Sequence, residues 1–89
     1  MFRKGGEGKR RDGNEGEIID ALESVGCQVW QISGRGLPDL LVYREGRYYP
    51  MEVKTRTGRL TDAQRDIPWP IVRTIDDAFC VINGLRQRR

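Results

Sequence analysis

Apolar residues recur at Ile18, Ile19, Leu22 and Val25, the spacing of one helix face. Asn14 ahead of them is a favoured N-cap and Gly26 a favoured stop, so a helix is expected between them. The period then changes to two. "CQVWQIS", residues 27–33, alternates and is rich in strand formers, which predicts a first strand. "DLLVY" and "RYYPMEVKT" follow as second and third strands, joined at Arg44–Arg47. Thr61 opens a short helix, "DAQRD", and "IPWP" ends it because Pro68 and Pro70 cannot continue helical hydrogen bonding. "IVRTI" is a fourth candidate strand. Asp76 then caps a last helix, "DAFCVIN", closed by Gly84. The order α-β-β-β-α-β-α describes an α/β domain with a small mixed sheet flanked by helices, without a repeat or an internal boundary.

The second and third strands carry a register argument. With Glu45-Gly46 as a two-residue turn, opposed positions sum to 91, so Val42 faces Tyr49 and Asp39 faces Glu52. A four-residue loop keeps that sum. A three-residue loop shifts the register by one and sends the two carboxylates to opposite faces. In the two-residue case 39 and 52 form a non-hydrogen-bonded pair, with Cα atoms about 4.5 Å apart. Lys54 projects from the same face. Pro50 falls at another non-hydrogen-bonded position, so it costs the hairpin nothing but limits pairing on its far side. Opposed like charges destabilise a sheet unless compensated. A divalent cation with a preference for oxygen would compensate, and so would Lys54 alone as a salt-bridge partner.

Composition narrows the setting. Eighty-nine residues, 37% apolar and 33% charged, make one domain with a modest core. No run is long enough to span a membrane, and "MFRKGG" leads into no apolar segment of a secretory signal. Cys27 and Cys80 are too few for a disulfide framework, and the absence of histidine removes the usual zinc sets. A reducing, cytoplasmic setting is expected, that of a bacterium or a phage-infected host. The net charge of +3 is unevenly spread. Residues 1–13 read as a flexible basic arm, 14–84 as the domain and 85–89 as a basic tail. The centre holds eight basic and eleven acidic residues. Basic ends over an acidic centre suit a polyanion held above a carboxylate cluster, or simply solvated termini.

Two further polar residues have local roles open to them. Glu17 lies three residues after Asn14 and Gln64 three after Thr61, both at capping-box spacing. Yet a helix glutamate, then "GLPD", then "MEVK", then "GRLTDAQ", in that order, resembles the PD-(D/E)xK nuclease superfamily. Within it the chain looks like a stand-alone VRR-NUC domain, the virus-type replication and repair nuclease module. The resemblance covers roughly residues 14–83, and "GRLTDAQ" is its least generic part.

The resemblance implies a restriction-endonuclease-like core in which Asp39 and Glu52 bind Mg²⁺ or Mn²⁺, with the Val53 carbonyl a further ligand. Lys54 would orient or deprotonate the attacking water. Gln64 would hold Lys54 or the water, and Glu17 would reach the metal region from the first helix. Glu15 points about 200° around the helix from Glu17, so both cannot face one site, and the pattern favours Glu17. With no histidine and no Ser-His pair, metal-activated water is the chemistry on hand.

Arg35 in its glycine-flanked turn is a candidate phosphate contact, with Arg56 and Arg59 behind it. Trp30 is expected in the core rather than stacked on a base, and Trp69 either stacks on a base or fills a subunit interface. Family members resemble one another in pairing, and a two-fold protein suits two-fold branched DNA. The expected function is therefore a metal-dependent, structure-selective endonuclease on branched DNA such as Holliday junctions, acting as a homodimer. A non-catalytic nucleic-acid-binding module derived from a nuclease is the alternative. A regulatory interaction domain with a charge-rich surface is the third reading, distinguished by nucleic-acid affinity that barely responds to salt.

Overall fold

The computed structural model describes residues 13–84, so the basic arm up to Asp12 and the tail 85–89 lie outside the described residues. Seven elements run in the expected order: α1 (Glu15–Ser24), β1 (Gln28–Gln31), β2 (Leu40–Arg44), β3 (Arg47–Val53), α2 (Asp62–Arg65), β4 (Ile71–Val72) and α3 (Ile75–Ile82). The strands form one sheet in the order β1-β2-β3-β4, antiparallel except for the parallel β3–β4 pair. This is a small α/β domain with a mixed sheet.

The β2–β3 register is the one the two-residue turn requires: Leu40 opposite Met51, Val42 opposite Tyr49, Arg44 opposite Arg47. Glu45 and Gly46 both take positive φ, 51° and 85°, as a type I′ hairpin turn demands. Pro50 explains how little β4 pairs. Its ring offers no N–H to that side, and the β3–β4 ladder begins only at Glu52, which donates to the Pro70 carbonyl, and continues with Lys54 donating to Val72.

Alternation decides the two faces. Val29, Leu40, Val42, Met51, Val53 and Val72 are buried and meet Ile18, Ile19 and Leu22 of α1 and Ala78 and Ile82 of α3. The other face of β1–β3 carries Trp30, Leu41, Tyr43 and Tyr48, with the two tyrosine rings 5.0 Å apart and tilted by 52°. Trp30 is therefore outside the helix-covered core and half-buried, which corrects its expected placement: Val29 occupies the inward position, and a one-residue step reverses the face. Val25 likewise falls outside the buried stripe, 42% exposed at the end of α1.

Helix starts differ in detail. Asn14 precedes α1 but makes no side-chain cap, and the box with Glu17 does not form. Its amide instead donates to the Lys54 carbonyl at 2.9 Å and the Arg73 carbonyl at 2.8 Å, tying the ends of β3 and β4 to the start of α1. At α3 the cap is Thr74, boxed with Asp77, and Asp76 lies inside the first turn. Cys27 and Cys80 are both free thiols, and among the described residues no helix is long and apolar enough to cross a membrane.

Candidate active site

The site forms where β2 begins and β3 ends. Continued past Leu40–Met51, the ladder would pair Val53 with residue 38, but Pro38 has no N–H to give. The Val53 N–H goes to the side chain of Asp39, whose Oδ2 accepts it at 2.9 Å. On an antiparallel strand the C=O and N–H of one residue point the same way. The Val53 carbonyl therefore looks toward Pro38, which cannot donate to it, and beside the Asp39 carboxylate. Glu52, the preceding residue, is half-buried with both oxygens engaged. Trp69 Nε1 donates to Oε1 at 3.0 Å and Gln64 Nε2 donates to Oε2 at 3.3 Å.

The electrostatics agree with this crowding. Burial raises the Glu52 pKa above its ordinary value, and the neighbouring Asp39 carboxylate raises it further. Hydrogen bonds from Trp69 and Gln64 and the positive charge of Lys54 oppose that rise without cancelling it. Asp39, Glu52 and Lys54 thus share one electrostatic neighbourhood, with Gln64 and Trp69 holding Glu52.

Gln64 takes the capping role, and its amide goes to Glu52 rather than to Lys54. Its Oε1 accepts the Thr61 N–H at 3.0 Å while Thr61 Oγ1 accepts the Gln64 N–H, so the capping box of α2 is complete. The same side chain turns its amide nitrogen to Glu52. A four-residue helix is too short to be stable by itself, and its cap fixes the group that reaches the carboxylate.

The helix glutamates exchange places. Glu17 is exposed, whereas Glu15 is 3% exposed and its Oε2 accepts from Gln31 Nε2 at 3.0 Å. The structure therefore does not bring Glu17 to the site, and the inward carboxylate of α1 is Glu15. The cause lies in packing: Ile18, Ile19 and Leu22 face the sheet, and Glu15, three residues before Ile18, continues their stripe. Gln31 projects toward α1 beside Leu40, on the helix-covered face.

Arg35, Arg56 and Arg59 are exposed. Arg35 lies in the turn closed by Leu37 donating to the Gly34 carbonyl at 3.2 Å. Gly34 has a conformational reason of its own: φ is 143°, and an added Cβ would sit 2.8 Å from Leu37 Cδ1. Sequence reasoning missed two contributors. Arg73 holds the 55–58 loop through its Nη1, which donates to the carbonyls of Thr55 at 2.6 Å and Gly58 at 2.7 Å. Trp69 clamps Glu52, and the only hint in the sequence was that a half-buried indole N–H must find an acceptor.

A cation fits this donor set, on chemical grounds. Among the described residues no group of three or more His, Cys, Asp or Glu side chains could hold a metal; the candidate is a pair of carboxylates. Mg²⁺ takes one or two carboxylates and fills its remaining positions with water and phosphate oxygens. An ionised carboxylate offers about four lone-pair sites, more than the two donors to Glu52 occupy.

Comparison of the chain with protein-family models, with curated proteins and with solved structures gives no match.

Proposed function

We propose that this domain is a metal-dependent nuclease of the VRR-NUC type, with a PD-(D/E)xK core, that hydrolyses phosphodiester bonds in branched DNA as a cytoplasmic homodimer. The observation that carries the proposal is the convergence of Asp39 and Glu52. Two carboxylates from adjacent strands repel one another across a half-buried gap, beside one lysine. Asp39, Glu52 and the Val53 carbonyl are the groups that would hold Mg²⁺ or Mn²⁺. When bound, such a cation lowers the pKa of water and neutralises charge on a phosphate oxygen.

Each residue then has a task. Asp39 keeps its carboxylate aimed by accepting the Val53 N–H. Gln64 and Trp69 fix the rotamer of Glu52 from two sides. Lys54 supplies an amine that orients the attacking water or takes its proton. Asn14, by gripping the Lys54 carbonyl, holds the backbone from which that amine extends. Arg35, Arg56 and Arg59 present exposed cations to the phosphate backbone.

A panel of labelled duplex, flap and four-way-junction DNAs, incubated with Mg²⁺, Mn²⁺ or EDTA, tests the proposal. Cleavage should need metal, favour branched DNA and vanish in Lys54→Ala. Products in EDTA, or equal products from the variant, refute it. One observation favours a second reading, a nucleic-acid-binding module without catalysis: both Glu52 oxygens already have protein donors. In that case Glu52→Ala leaves DNA affinity intact and the wild type cuts nothing.

A further inference from the structure

A groove of about 460 Å³ is lined by Trp30, Gln31, Ile32, Ser33, Leu41 and Tyr48, of which Trp30, Leu41 and Tyr48 belong to the sheet face away from the helices. Its place in the strand register ties it to the carboxylates. Trp30 pairs with Leu41, and Leu41 with Pro50, in one row across the sheet. Two rows along, on the same face, come Ile32, Asp39 and Glu52, and the Ile32 N–H donates to the Asp39 carbonyl at 2.9 Å. Two residues along a strand cover about 7 Å. A single nucleotide spans that distance.

We propose that this groove is a stacking subsite for an unpaired nucleobase next to the phosphodiester held at Asp39 and Glu52. The inference rests on the nuclease reading and names the feature of the substrate that the site selects. Tyr48 is 60% exposed, while Trp30, Ile32 and Leu41 are half-buried, so the groove is an open slot with two aromatic lining residues. A planar base fills such a slot from its π-face without regard to sequence. That matches selection by DNA structure, because only splayed or single-stranded bases can enter. Arg35, exposed and two residues along the chain from Ser33, is the cation nearest in sequence to this lining. A second copy of the chain fits less well. Tyr48 is the only large exposed apolar side chain described on this face, and a stable dimer needs about 800 Å² from each partner.

Fluorescence anisotropy in EDTA, with a single-stranded oligonucleotide, its abasic counterpart and a blunt duplex, provides the test. Tyr48→Ala should weaken single-strand binding by about five-fold to 100-fold, Trp30→Ala should do the same, and Tyr48→Phe should retain wild-type affinity. The abasic strand should bind the wild type as weakly as the normal strand binds Tyr48→Ala, and duplex affinity should be equal throughout. Because Tyr48 is exposed, its substitution leaves the fold intact even where Trp30→Ala does not. Unchanged single-strand affinity in Tyr48→Ala overturns the proposal. So does a Tyr48→Ala protein that sediments as a monomer where the wild type is a dimer, with no dependence on the base. Junction cleavage with Mg²⁺ is scored separately: base-dependent binding without cleavage sinks the nuclease reading alone, and cleavage without base dependence sinks the subsite alone.

Discussion

Replacing Asp39 by Asn separates the structural part of the carboxylate pair from its chemical part. Without metal, two effects oppose. The Val53 N–H keeps an oxygen acceptor, but a neutral one, and the change from a charged to a neutral hydrogen bond costs about 1 kcal/mol. Removal of the charge that bears on Glu52 returns about 1 kcal/mol for a pair this close to solvent. The variant should therefore unfold in EDTA within about 1 kcal/mol of the wild type, or roughly 4–8 °C for a domain of this size. With metal the two proteins diverge. A ligand at 100 times its Kd stabilises the native state by about 2.7 kcal/mol, so wild-type melting should rise by at least about 10 °C. Asp39→Asn should hardly respond. Thermal melts by circular dichroism, titrated with Mn²⁺ and then reversed with EDTA, measure both terms. A wild type insensitive to metal, or a variant shifted as far as the wild type, would falsify the assignment of a cation to this pair.

Trp69→Phe removes the donor to Glu52 Oε1 and should lower Mn²⁺ affinity by about 10- to 100-fold in calorimetric titration, as loss of a ligand-orienting contact does; equal affinity shows that the indole only fills space. Glu17→Ala should alter urea-denaturation stability by no more than about 0.5 kcal/mol, because the side chain is exposed. Glu15→Ala removes the buried acceptor of the half-buried Gln31 amide and should cost about 1–3 kcal/mol, and the reverse order would contradict the placement of α1. Glu52 is held above its ordinary value of 4.5, by burial first and by Asp39 second, so the native state binds more protons than the unfolded chain between 4.5 and the raised value. Its contribution to stability must fall as pH rises through that window. In EDTA, the unfolding free energy of the wild type minus that of Glu52→Gln should decrease with pH there, and an increase would refute the sign.

Residue order determined a good deal of this protein. A strict period of two, with one turn whose residues tolerate positive φ, fixes which side chains oppose each other in β2 and β3. The convergence of Asp39 and Glu52 was readable for that reason. The Thr61–Gln64 box was readable too, because it is closed within four residues. What the linear pattern left undecided concerned direction in three dimensions. Alternation along β1 says that Val29 and Trp30 point opposite ways, but only the seating of α1 and α3 decides which face is covered. Helical periodicity separates Glu15 from Glu17 by more than half a turn, yet the docking angle of α1 chose between them. Trp69, 17 residues beyond Glu52, and Asn14, 59 residues before Arg73, find their partners only after β4 joins the sheet in parallel. Local patterns are set by covalent geometry and repeat every few residues. Contacts across the fold depend on which buried surfaces win one another, and that competition is settled by the whole chain at once.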